Sequence, residues 1–306
     1  GNVILRKNEY HQTSDIHISR SMMITLVLST ISLMIPMSLL TQKGYHSLWV
    51  WPILLIAIFF IVNFIITNRQ ATHPIVHFHT LFSKKPFVGA TMAISSHLTL
   101  LTGIAGINVY IVRILKLPFD ISLHFYFFFF VGVIITGILK MFFYSSVGAG
   151  FLGTLGSSAL LYVSIHWIIL GNTINIPLLY IQGLLLGFGA SMTLVSGSMA
   201  TLLDGDLKEA AQRSQTMHTI RNFSAAMLIP IIAYTIKNHI QKGTQSIYAE
   251  NITDKMIYLK KLQDVAIDAD HQIFLLMIIF NMVMFVSSII QMILGKGRRI
   301  TPPRES

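Results

Sequence analysis

Eight stretches of about twenty residues carry almost no charge, and this constrains the chain more than any other feature. They run at about Ser21–Leu40, Leu48–Thr67, Phe87–Ile111, Ile121–Phe143, Val147–Leu170, Pro177–Leu203, Gln215–Ile236 and Gln272–Leu294. A helix that crosses a bilayer needs about 20 mostly apolar residues. In lipid its backbone polar groups must also be satisfied within the segment. The runs are continuously apolar rather than alternating, which excludes the strands of a membrane barrel. Composition agrees. Of 306 residues, 53% are hydrophobic and only 11% charged, against roughly a quarter charged in a soluble domain. Such a chain cannot clothe a water-facing globule. A soluble enzyme, a free nucleic-acid-binding domain and a disordered protein are thereby excluded. There is no cysteine, so disulfides, thiolate-bound zinc and thiol chemistry are excluded too. The expected fold is an all-α integral membrane protein whose first partner is the lipid bilayer, with no nucleic acid and no enzymatic role.

The connections give an orientation. Thr41-Gln42-Lys43-Gly44 closes the first hairpin, Leu117-Pro118-Phe119-Asp120 a second, and Gly171-Asn172-Thr173 a third. Lys140 stands close to the short link Tyr144-Ser145-Ser146 between the fourth and fifth spans. Residues 237–271 read as one long loop with a helical pattern of its own, through Ile252, Met256, Leu259 and Ala266. That pattern suits an interfacial amphipathic helix or a solvated cap on helix ends. Lys and Arg number 13 on the side of the chain ends and 8 on the other side, and five of those eight share the long loop with five acids. Both ends are therefore expected in the cytoplasm. The net charge of +10 reflects this bias rather than a nucleic-acid partner. The chain opens on Gly1 and is polar to residue 19, which leads us to expect a piece of a longer protein or the product of a disrupted one.

Several short motifs stand in a telling order. The joint between the second and third spans reads Thr72-His73-Pro74-Ile75-Val76, then Leu81-Phe82-Ser83-Lys84-Lys85-Pro86-Phe87. The sixth span opens with Tyr180-Ile181-Gln182-Gly183-Leu184. The seventh opens with Ala210-Ala211, Ser214 and Arg221. In this order and spacing, the chain from about residue 15 to 295 resembles the C-terminal part of the fourteen-span drug–proton antiporters of the major facilitator superfamily (the EmrB/QacA type). The resemblance implies a cytoplasmic loop at 1–20, an extra helix pair at 21–67, a linker at 68–86, a six-helix transporter bundle at 87–294 and a basic cytoplasmic tail at 295–306. It implies a bacterial inner (plasma) membrane and export of hydrophobic or cationic small molecules against inward proton flow. It implies that six N-terminal spans are missing, with the coupling carboxylate and the glycine-rich antiporter motif among them. Partners would be the small-molecule substrate, that missing half or accessory efflux subunits. The rival reading is a transport-inactive remnant or interaction subunit that needs a partner bundle.

The candidate site consists of polar residues inside spans. All twelve acids read as loop or span-edge residues, so no carboxylate is expected at mid-membrane, and an isolated chain is not expected to exchange protons for drug. His97 is either an interhelical hydrogen-bonding group or a cavity-lining one. Asn108, eleven residues on, falls on about the same helix face. Arg221, with His218 and Asn222 beside it, must snorkel, pair or face water. Gln182 and Asn281 read as interhelical hydrogen-bonding groups, and His166, beside Trp167, as an interfacial anchor. Gly183 and Gly187, with Gly150, Gly153 and Gly156, suit close helix packing. Phosphate loops and dinucleotide fingerprints are absent, and His73, His77 and His79 have no further ligand in view. No cofactor and no metal are expected. Asn251-Ile252-Thr253 is a glycosylation sequon by pattern.

Overall fold

A backbone surrounded by hydrocarbon satisfies its hydrogen bonds internally, and each long apolar run is a helix in the computed structural model. The structure describes residues 20–44, 47–71, 74–203, 209–250 and 254–295. These form α1 (Arg20–Lys43), α2 (Val50–Gln70), the short α3 (Phe78–Leu81), α4 (Lys84–Asn108), α5 (Phe119–Trp167), α6 (Ile176–Leu203), α7 (Ala210–Ala249) and α8 (Lys255–Ile293). The fold among the described residues is all-α. Seven of these helices are long and apolar enough to cross a membrane, which makes this a multispan membrane protein. The basic tail and the sequon lie outside the described residues.

Three expectations need correction. The first concerns the fourth and fifth spans, which belong to one 49-residue element, α5. Straight, it would be about 73 Å long, over twice the hydrocarbon core. It doubles back instead. Gly148 has φ 85° and ψ 172°, a region open essentially only to glycine, and reverses the chain within the helix. The Phe125 and Trp167 rings, one from each arm, consequently meet at 6.3 Å. The polar Tyr144-Ser145-Ser146 remains helical, so backbone geometry at one residue makes the turn that was assigned to a loop.

The second correction concerns residues 237–271. Their described residues are helical up to Ala249, where α7 ends, and again from Lys255, where α8 starts. The Asp254 carboxylate caps α8, accepting from the Met256 amide at 2.7 Å, which satisfies an end donor of the helix. Buried residues on α8 recur at 267, 270, 274, 277, 281, 284 and 288. This spacing of three and four is a helix seam, and it starts inside the supposed loop. Thirdly, α4 does not stop near Ile111. It continues as a π-helical turn, Val109–Ile114, marked by the Leu115 amide bonding to the Tyr110 carbonyl at 2.9 Å.

The core sits between α4, the two arms of α5, α6 and α8, around Trp167, Tyr110, Phe125, Phe274 and Met277. The arms of α5 flank α6, one parallel and one antiparallel to it. Gly187 packs against the Phe129 carbonyl of the first arm, and Gly189 and Gly156 face each other across the second. No side chain would fit at these crossings, as in close-packed membrane helices. The outer side of the first arm is apolar and exposed, at Phe127, Phe130, Ile134 and Met141, as a lipid-facing surface requires. α7 packs on α8, α4 and α6, while α1 and α2 form a pair that joins the rest chiefly through α7.

The joint after α2 is held by one side chain. Asn68 is buried, and its amide donates to the Val76 carbonyl at 2.7 Å while its oxygen accepts from the Ile75 and Val76 amides at 3.0 Å. The His77 amide then donates to Thr216 of α7 at 2.9 Å. Ile75 and Val76 are thereby pressed onto Met22 and Phe64, which ties the helix pair to the bundle.

Candidate functional site

The sequence candidates divide by neighbourhood. His97 lies 13 residues into α4, about 20 Å along it, and Arg221 about 16 Å along α7. The two are in electrostatic reach of each other, and His218 also faces Arg221. The Arg221 Nε is buried with no hydrogen-bond partner among the described residues. Asn222 is exposed. These four form a basic, polar face on α4 and α7 at membrane depth. His97, His218 and Arg221 are half-buried, and only Asn222 among the four is exposed.

The other candidates are engaged elsewhere. Asn108 lies within reach of the Tyr126 side chain of α5, whereas His97 is within electrostatic reach of Arg221 on α7. Gln182 is buried, accepts from the Trp167 Nε1 at 2.8 Å and pairs its amide nitrogen with the His166 Nδ1 at 2.8 Å. Trp167 is 0% exposed, so Gln182 locks it inside the bundle, while the half-buried His166 stands near the end of α5. Gly183 meets Phe125, whose carbonyl would lie 2.8 Å from an added Cβ. Gly153 packs on Met92 and Ser288, and Gly150 on the backbone at Met292. Asn281 donates to Ser164 at 3.4 Å. Among the described residues no cluster of metal-ligating side chains occurs.

Two buried charged residues and one lysine were missed. The first is Asp270. It stands in the buried seam of α8, is 1% exposed, and neither carboxylate oxygen has a hydrogen-bond partner among the described residues. Tyr110 is within electrostatic reach, and its hydroxyl donates to the Gly171 carbonyl. His271 bonds the Leu170 carbonyl at 2.8 Å beside it. Asp270 is therefore a buried helix residue and not part of a loop, and it stands near the α5–α6 connection, whose Leu170 and Gly171 carbonyls its neighbours His271 and Tyr110 bond. The signal was in the sequence, since Asp270 sits three residues after Ile267 and four before Phe274. Arg213 is the second. It is 1% exposed, and its guanidinium donates to the Thr201 and Leu202 carbonyls at 3.0 and 2.9 Å with Glu209 at 3.5 Å. It closes the carboxyl end of α6, where backbone acceptors are otherwise orphaned and positive charge is favoured. Finally, Lys140 reaches across to the Ser191 carbonyl of α6 at 2.9 Å.

Chemically, the α4–α7 face offers cationic and amide groups. Asp270 offers a carboxylate that can take a proton or a cation, as ionisable groups inside membrane proteins commonly do. The sequence matches no protein-family model and no curated protein.

Proposed function

We propose that this chain is the C-terminal part of a membrane transporter of the proton-coupled multidrug efflux type, exporting hydrophobic or cationic small molecules, with both ends in the cytoplasm of a bacterial inner membrane. The observation that carries the proposal is the half-buried group of His97, His218 and Arg221, whose guanidinium Nε has no hydrogen-bond partner among the described residues, with the exposed Asn222 beside it. A guanidinium and an exposed amide at membrane depth are costly against lipid. They are at ease against water or a second bundle, which is what alternating access between two bundles provides. The resemblance stated above supplies the family, the missing six spans and the major-facilitator type of bundle. Asp270 adds a protonatable group to the half at hand. The interaction-subunit reading shares the same face and differs only in carrying no flux.

Labelling separates these readings, since the chain has no native cysteine. A membrane-impermeant maleimide is expected to modify Asn222→Cys in vesicles and to leave the apolar, exposed positions Ile229→Cys and Phe127→Cys untouched. If Asn222→Cys is as inert as those two, the face lies in lipid and the cavity reading is wrong. With the face labelled, ethidium export driven by an imposed pH gradient decides between transporter and interaction subunit. The chain alone is expected to give none, and co-reconstitution with a bundle that supplies six further spans is expected to give flux that Arg221→Ala abolishes.

A further inference from the structure

The joint after α2 carries a groove of about 620 Å³ between the end of α2 and the short helix α3. Its floor is apolar, with Ile65, Val76, Phe78 and Phe82, and its rim carries Arg69, His77 and His79. Arg69 and His79 are exposed. The apolar side continues as an aromatic ladder. Phe78 stacks on Phe82 at 6.2 Å and Phe82 on Phe87 at 5.3 Å, with Phe82 59% and Phe87 44% exposed. Phe87 belongs to the first turn of α4, a membrane-crossing helix, and Lys84 stands exposed at that helix's start. Among the described residues, the carboxylate that acts on His77 is Glu209, which Arg213 holds at 3.5 Å. The Nδ1 of His77 is buried with no hydrogen-bond partner among the described residues.

We infer that this groove binds an anionic phospholipid of the cytoplasmic leaflet, with its headgroup against Arg69 and His79 and its acyl chains along Phe82 and Phe87. Charge complementarity and position decide the occupant. The groove lies between the end of α2 and the start of α4, its rim carries the Arg69 guanidinium with Lys84 exposed nearby, and its wall continues as an aromatic and apolar surface along a membrane-crossing helix. A hydrophobic cation would be repelled by Arg69. A free phosphate would have no use for the ladder. An Arg or Lys near a membrane surface favours anionic lipid by about fivefold in binding constant. Such a lipid would brace the joint that Asn68 builds, and with it the attachment of the α1–α2 pair.

A tryptophan at the exposed Phe82 reports occupancy. In nanodiscs, brominated phosphatidylglycerol is expected to quench the added fluorescence of Phe82→Trp with a binding constant at least about fivefold above that of brominated phosphatidylcholine. Adding Arg69→Gln and His79→Gln should bring the ratio close to one. Native mass spectrometry of the otherwise unaltered protein gives a reading independent of the reporter: phosphatidylglycerol retained by wild type and lost with Arg69→Gln. Equal quenching by the two lipids, or a ratio and retention indifferent to both substitutions, overturns the proposal. Displacement of the lipid by glycerol phosphate at millimolar concentration also overturns it, by showing a site for the phosphate alone.

Discussion

Removing Asn68 tests how the joint is built. Asn68→Ala deletes three hydrogen bonds and leaves the Ile75 and Val76 amides and the Val76 carbonyl without their partner. Ile75 and Val76 are 7% and 4% exposed, so water reaches these groups poorly. Each buried group left unpaired costs about 1 kcal/mol or more, and we expect a total of about 3 kcal/mol against the closed joint. That corresponds to about a hundredfold more of the open form. Trypsin at Arg69 reads it, because cleavage requires the last turn of α2 to unwind, and at low protease the rate follows the open population. Asn68→Leu is the decisive control, since it fills nearly the same volume without the polar groups. We expect it to be cut nearly as fast as Asn68→Ala. Protection of Asn68→Leu to the wild-type rate would show that packing alone holds the joint and would refute the hydrogen-bond argument.

Gly148→Ala forces a Cβ into φ 85°, at a cost of about 1–3 kcal/mol; an unchanged melting temperature in detergent would show that the reversal in α5 does not need glycine. Arg213→Met strips the Thr201 and Leu202 carbonyls of a charged donor and should cost about 2–4 kcal/mol, with Arg213→Lys recovering only part because it lacks the planar fork; hydrogen exchange at the end of α6 would register the loss, and full recovery by Lys would contradict it. His77, in the joint, has its pKa lowered from 6.5 by burial, with the Glu209 charge opposing. The folded form therefore prefers the neutral ring. Its contribution to stability is complete above about pH 6.5 and declines as the pH falls through that value and below. The melting temperature of wild type should accordingly fall relative to His77→Gln between pH 7.5 and 5.5, and a difference constant across that range would count against the assignment.

The sequence by itself determined the solvent and the element type. Runs of twenty apolar residues with 11% charge overall can be stable only as helices in a bilayer, because unpaired backbone groups are intolerable there. It also located the helix pair, the joint and the glycines at crossings, since these are local properties of composition and spacing. The polar face on α4 and α7 was half legible: His97 and Arg221 were recognisable as charged or polar intruders, but that they approach each other depends on how two helices dock. Tertiary structure alone decided the rest. Gly148 is one of 20 glycines, and nothing local marks it as the one where the backbone turns positive in φ and the chain reverses. Asn68 and Arg213 look like ordinary helix-end polar residues until Val76 and the end of α6 arrive beside them. Asp270 was taken for a loop acid because hydropathy averages over a window, whereas burial follows the single face that a helix turns to its neighbours. What a residue contributes to a window fixes whether a segment enters the membrane; what that residue meets there is fixed only once the other helices are packed around it.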